Sequence, residues 1–194
     1  MSVASATMTT EELLALPDDG VDRWLIRGEL REKHPNASGQ SMTIRNRFHS
    51  RVLSRICQVL CNWLYEQPLP RGAILGGEAG VRLANPECTT VGVDVVYVSA
   101  DVLDRQTSDS TLVIGIPILA IEILSPSDSV EEIHEKIDEY RAASVPLIWV
   151  VDPYDRTVLV YGDEEEPVLF NKKQEITGGS HLPDFRVPVA RLFE

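Results

Sequence analysis

The chain has 194 residues, 43% of them hydrophobic and 25% charged, with 18 Lys+Arg against 30 Asp+Glu for a formal net charge of −12. That length suits one substantial domain, and that balance excludes wholesale disorder, collagen-like structure and coiled coil. Bulk electrostatics oppose a polyanion, so any role with nucleic acid must be local, for example through cations that invert the sign of a carboxylate cluster. Cys57, Cys61 and Cys88 make no even framework and no CxxC, a reduced, cytosolic pattern. No stretch approaches the roughly 18 apolar residues of a membrane span, and residues 1–6 lack the regions of a signal peptide. The expectation is a cytoplasmic protein without a membrane partner, a single domain over 9–194 behind a flexible N-terminus at 1–8.

Thr9-Thr10-Glu11-Glu12 caps a helix ahead of Leu13-Leu14, and Pro17-Asp18-Asp19-Gly20 stops it after barely two turns, which predicts a short lid helix. Residues 23–33 pair short apolar runs around Arg27-Gly28, a hairpin with Glu29 just past its turn, before a polar loop at 35–41. From 44 to 65, at about 100° per residue, Phe48, Val52, Ile56, Val59, Leu60 and Trp63 share one arc, which also contains His49. Arg47, Arg51 and Arg55 form a basic stripe beside it, read either as phosphate contacts or as a solvated face. Pro68-Leu69-Pro70 ends the helix. Strands are predicted at 73–75, 80–83, 93–98, 118–124, 147–151 and 158–161. Between the fourth and fifth, Ser125-Pro126-Ser127-Asp128 caps a second helix whose stripe is Val130, Ile133, Ile137 and Tyr140. A strand–helix–strand unit is a crossover, so its strands pair parallel, while short turns such as Asp152-Pro153-Tyr154-Asp155 join antiparallel neighbours. The acidic run at 163–166 reads as a hairpin tip. The architecture is α/β: a mixed sheet flanked by two main helices.

Residues 93–98 (VDVVYV) and 118–124 (ILAIEIL) are nearly continuous apolar runs, as in strands covered on both faces, and each holds one acid, Asp94 and Glu122. A carboxylate there must be protonated, paired or bound to a cation, because a lone buried charge costs several kcal/mol. Two on adjacent strands would make a hard, oxygen-ligand metal site; alternatively each sits at a strand end and pairs with an Arg. Lys136, at the edge of the second helix's stripe, reaches either towards Glu122 or back to Glu132 in an ordinary i−4 pair. His49 is an accessory candidate or a hydrogen-bonded core histidine. Glu29 is a supporting acid or a surface acid on a hairpin. Glu78, amid Gly76, Gly77 and Gly80, reads as a loop residue. Cys57 and Cys61 read as buried thiols, and His34, His134 and His181 make no ligand spacing.

Asp94, then Glu122-Ile123-Leu124-Ser125-Pro126-Ser127, Glu135-Lys136 with Tyr140, and Trp149-Val150-Val151-Asp152-Pro153 resemble the Uma-type family of restriction-endonuclease-like proteins in the PD-(D/E)XK nuclease superfamily. Residues 25–30 (LIRGEL) and His49 match the same pattern, and the resemblance runs from about Glu11 to Phe193. It implies a restriction-endonuclease-like mixed sheet. It also implies Asp94 and Glu122 as metal-binding acids, with the Ile123 carbonyl as a further ligand for Mg²⁺ or Mn²⁺. Lys136 becomes the superfamily's lysine, moved from the position of Leu124 onto the helix. His49 and Glu29 become accessory catalytic residues. Two departures stand out: Val93 where a Pro usually precedes the Asp, and Ala143-Ser144-Val145 where Ala-Gly-Val is usual.

The implied activity is metal-dependent endonucleolytic hydrolysis of phosphodiester bonds with DNA as substrate, a chemistry that two acids and a lysine can serve. Two alternatives stay open: a non-catalytic dimeric binding or scaffold protein that keeps the fold, and a metal-dependent hydrolase of small phosphate esters. A homodimer is expected, because cutting both strands of a duplex calls for two sites and Trp63, Leu64 and Tyr65 gather beside Pro68-Leu69-Pro70. Otherwise the lid helix covers that apolar cluster within one chain.

Overall fold

The computed structural model describes residues 7–33, 46–83, 88–107, 109–162, 164 and 166–194. The polar loop expected at 35–41, His34, residues 1–6 of the N-terminus, and Asp163 and Glu165 of the acidic run lie outside the described residues. Helix α1 (Thr10–Leu14) opens on a capping box in which Thr9 and Glu12 satisfy each other's backbone N–H. Just ahead of it the Met8 N–H donates to Gly28 O at 2.7 Å. Strands β1 (Arg23–Ile26) and β2 (Glu29–Glu32) form the predicted hairpin, turning through Arg27 and Gly28, both at positive φ. Helix α2 (Arg47–Glu66) follows, its Asn46 side chain accepting from the N–H groups of Phe48 and His49.

Strand β3 (Ala73–Arg82) is one strand where two are expected, interrupted by a register shift between Gly76 and Ala79. After it come β4 (Thr90–Val98), a short helix α3 (Ala100–Asp104), β5 (Val113–Ile114) and β6 (Leu119–Ile123). Helix α4 (Val130–Ala142) then crosses to β7 (Leu147–Asp152), which pairs parallel with β6 as the crossover predicts. The chain finishes with β8 (Thr157–Tyr161), β9 (Val168–Asn171), the separate ribbon β10 (Glu175–Gly178) and β11 (Leu182–Pro188), and a 3₁₀ turn at Val189–Phe193.

The main sheet runs β2-β1-β4-β6-β7-β8-β9, with β3 and then β5 added on the other edge of β4. It is buried on both faces. On one, Val52, Ile56 and Leu60 of α2 pack on Val95, Ile121 and Trp149, closed from outside by Ile176, Leu182 and Phe185 of the terminal ribbon. On the other, Ile137 and Tyr140 of α4 pack on Val96, Ala120 and Ile148. Burying a side chain of this size is worth about 1.5–3 kcal/mol, so the two helices dock through their apolar stripes.

Sheet register places the site. One edge of β4 is shared by two strands: β1 meets it at Thr90, and β6 meets it from Val95 to Tyr97. Between those contacts the ladder splits. Continuing the register Val95↔Ile121 by one residue sets Asp94 opposite Glu122, with both side chains on one face at the mouth of the split.

Candidate active site

Asp94 and Glu122 are both buried and border one cavity of about 390 Å³. Asp94 takes over an acceptor role that the split ladder leaves open: its Oδ2 accepts the Ile123 N–H at 2.8 Å. Its Oδ1 lies 3.0 Å from His49 Nε2, an ion-pair contact without hydrogen-bond alignment, and both Oδ1 and His49 Nδ1 are buried with no hydrogen-bond partner among the described residues. Glu122 is held on both oxygens, Oε1 by the Tyr140 hydroxyl at 2.5 Å and Oε2 by Lys136 Nζ at 3.0 Å. The same ammonium donates to Gly92 O at 2.9 Å, a carbonyl exposed by the split. Lys136 thus reaches Glu122. Glu132 is engaged elsewhere, accepting the Ser129 N–H in the capping box of α4.

These surroundings push the two carboxyls apart. Burial raises Glu122 and the Asp94 charge adds to that, outweighing Lys136 and the Tyr140 hydrogen bond. For Asp94 burial works in the same upward direction, but His49, the Ile123 N–H and Lys136 outweigh it and hold the group below its ordinary value. Burial and the facing Glu122 drive the Tyr140 phenol well above its ordinary range, which keeps it a donor. Two neighbouring carboxyls with divergent proton affinity are a feature of hydrolytic sites.

Glu29 does not join them. The register Ile26↔Glu29 leaves it exposed on the outer strand of the hairpin, ion-paired with Arg31 at 3.0 Å and outside the cavity lining. Arg31 is bound in turn to Glu135 at 2.7 Å, so Glu29 belongs to a surface network that fastens the hairpin to α4. Glu78, by contrast, lines the cavity with Asp94 and Glu122. It stands at the β3 irregularity with φ 62°, and a bulge re-aims a side chain in this way. A Cβ on Gly92 would lie 2.8 Å from Glu78 Oε2, so glycine there permits the approach. Three glycines around an acid inside a strand pattern were the available signal. Tyr140 was legible as part of an apolar stripe and of the family motif, with no role at the acids assigned to it. Among the described residues, no group of three or more His, Cys, Asp or Glu is placed to hold a metal ion.

The cavity is walled by Leu13 and Leu14 of α1, which the Thr10–Thr90 hydroxyl pair (2.8 Å) anchors to β4. Lys33 and Asp128, also in the lining, pair at 2.7 Å. Asp128 Oδ2 also accepts the Ser125 N–H at 2.7 Å, fixing the loop that leads into α4.

A mixed sheet split beside two buried carboxyls, with a lysine arriving from the crossover helix, defines a nuclease-like α/β protein. The chain belongs to the Uma2 family: a model of that family, described as "Putative restriction endonuclease", matches residues 10–190. Among solved structures the chain resembles the crystal structure of a "putative nuclease belonging to DUF820" from Anabaena variabilis ATCC 29413. The TM-score is 0.75 and the identity 21%, over 96% of this chain and 97% of that one. This likeness shows a common fold, a large mixed sheet flanked by helices. No functionally curated protein matches the chain.

Proposed function

We propose that the protein is a metal-dependent endonuclease that hydrolyses phosphodiester bonds in DNA, with Asp94 and Glu122 as the acids that hold Mg²⁺ or Mn²⁺. The observation that carries this reading is the pairing of the two buried carboxyls across the split ladder, each facing a cationic or ionisable side chain in one cavity. The donor set fits a hard cation. Asp94 Oδ1 is buried with no aligned donor, and two carboxylates with a backbone carbonyl, here Ile123, suit an ion that keeps several waters.

Such an ion, when bound, supplies Lewis acidity and lowers the pKa of a coordinated water. The chain's own residues do the rest. Tyr140 holds Glu122 Oε1 so that the carboxyl cannot rotate away. Lys136 neutralises charge beside Glu122 and is the cation available to a phosphate oxygen as negative charge builds on it. The Ile123 N–H orients Asp94, His49 faces its other oxygen, and Leu13 and Leu14 wall the cavity. Glu29 acts at most through Arg31 and Glu135, as a positioning residue of the hairpin.

Calorimetric titration with Mn²⁺, paired with cleavage of supercoiled plasmid in Mg²⁺ or Mn²⁺, tests this. Binding and cleavage should both vanish in Asp94→Asn and Glu122→Gln while the fold survives, and Lys136→Ala should bind metal but not cut. Equal Mn²⁺ binding by wild type and the double acid variant overturns the metal site. Turnover of a small phosphate diester with plasmid left intact would favour the small-ester reading.

A further inference from the structure

Beside the cavity the surface changes sign. Phe48, one residue before His49 on α2, is 45% exposed, and its ring centroid lies 5.9 Å from that of Tyr154, 53% exposed in the β7–β8 turn. The Arg47 guanidinium sits 4.6 Å from the Phe48 ring centroid, and Arg51 follows one helical turn on. Tyr154 and Arg156 share a shallow depression with Lys172 and Lys173 of the turn after β9. Among the described residues, none of the side chains of Arg47, Arg51, Arg156, Lys172 and Lys173 has an ion-pair partner. The acids of the β7–β8 turn are Asp155, exposed among them, and Asp152, whose Oδ1 accepts the N–H groups of Tyr154 and Asp155.

In a chain of net charge −12, cations without ion-pair partners gathered around two half-exposed rings reverse the sign of the surface locally. A strand of nucleic acid answers both features, phosphates on the cations and a base on a ring. A duplex keeps its bases paired inside and carries twice the charge against the acidic remainder of the molecule. We propose that this surface seats a single-stranded stretch of DNA and leads it past Phe48 to the Asp94–Glu122 cavity. The inference rests on reading that cavity as the phosphodiesterase site.

The test is fluorescence anisotropy with a labelled DNA strand of about 20 nucleotides, in EDTA so that nothing is cut, over a series of salt concentrations. Wild type is compared with Arg156→Ala/Lys172→Ala/Lys173→Ala and with a control of equal charge loss, Arg105→Ala/Arg186→Ala/Arg191→Ala. The patch variant should bind about tenfold more weakly, with the slope of log K against log salt smaller by about 2, while the control stays close to wild type. Tyr154→Ala should weaken binding with the slope unchanged, because stacking releases no counterion. The duplex of the same length should bind less tightly than the single strand. Patch and control variants that behave alike, a wild type that binds no DNA, or a preference for duplex each overturn the proposal. A wild type that binds through the patch but cleaves nothing with Mg²⁺ or Mn²⁺ retires the nuclease reading and leaves the DNA surface. Metal-dependent cleavage with a patch variant binding as wild type does the reverse.

Discussion

Lys136 reaches from α4 into the site, where its Nζ lies 3.0 Å from Glu122 Oε2. Its ammonium is the cation facing Glu122, and removing one member of a buried pair leaves the other charge uncompensated. Lys136→Met should therefore destabilise the fold by about 3 kcal/mol. Tyr140→Phe, which removes one hydrogen bond to the same carboxyl, should cost about 1–2 kcal/mol. Urea unfolding of the two variants gives the order, and a Lys136→Met no less stable than wild type would mean that Glu122 is neutral in the fold. A simpler titration lies on the surface. The Arg23 hydrogen bonds and the Val21 N–H lower the Asp19 carboxyl from 3.8 to about 2. Because the folded value is the depressed one, this contribution is present above pH 4 and is lost as pH falls from about 4 to about 2. Carboxyl NMR should find Asp19 titrating near 2 in wild type and moving back up in Arg23→Ala. An unchanged midpoint would assign the shift to the backbone N–H.

At the scale of elements, the end of α4 explains one of the departures from the family pattern. The Val145 N–H reaches Tyr140 O and the Ser144 N–H reaches Arg141 O, both at 2.9 Å, a Schellman ending with Val145 and Tyr140 buried in the same cluster. That ending requires left-handed backbone at residue 144, and Ser144 has φ 62°. Glycine takes this conformation without the Cβ clash, so Ser144→Gly should stabilise the chain by about 1 kcal/mol, net of its extra unfolded-state entropy. Thermal unfolding measures it, and a lower Tm would show that the serine side chain contributes more than the strain removes. The other departure is accommodated: Val93 is buried and pairs with Ala79, and Asp94 still meets the Ile123 N–H. The Glu78 irregularity in β3 and the split beside β4 are likewise properties of paired strands rather than of either strand alone.

For the whole molecule, the apolar cluster at the end of α2 divides in two. Trp63 is taken up by the terminal ribbon, its Nε1 donating to Pro183 O at 2.7 Å and its ring edge-on to Tyr97 and Phe185. Tyr65 and Leu69 stay 74% and 78% exposed. Helix α1 does not cover them, since it packs on β1 and walls the cavity instead. Pairing of two copies through this exposed apolar end is the arrangement we propose for the protein in solution. Light scattering at micromolar concentration should give twice the mass of one chain, falling to a single chain in Tyr65→Ser/Leu69→Ser. A single-chain mass for wild type at every concentration overturns the pairing.

Much of this was legible in the order of residues alone. The periods of α2 and α4, the doubly covered strands with one acid in each and the parallel crossover are local patterns, set by burial along a few consecutive turns or pleats. The family motif from Glu122 to Pro153 is equally local. Other features depend on pairings between distant segments. Asp94 lies opposite Glu122 because of a register set by Val95–Tyr97 against Leu119–Ile121, and Lys136 meets Glu122 because α4 docks over the split. Glu29 falls outside the cavity and Glu78 within it, though both stand in short runs near glycine. The terminal ribbon of β10 and β11, whose residues complete the core under α2, carries too little periodicity to announce itself. A side chain's partners follow from which strands share an edge and in what register, and that is settled by burial summed over the whole sheet, which no single window of sequence contains.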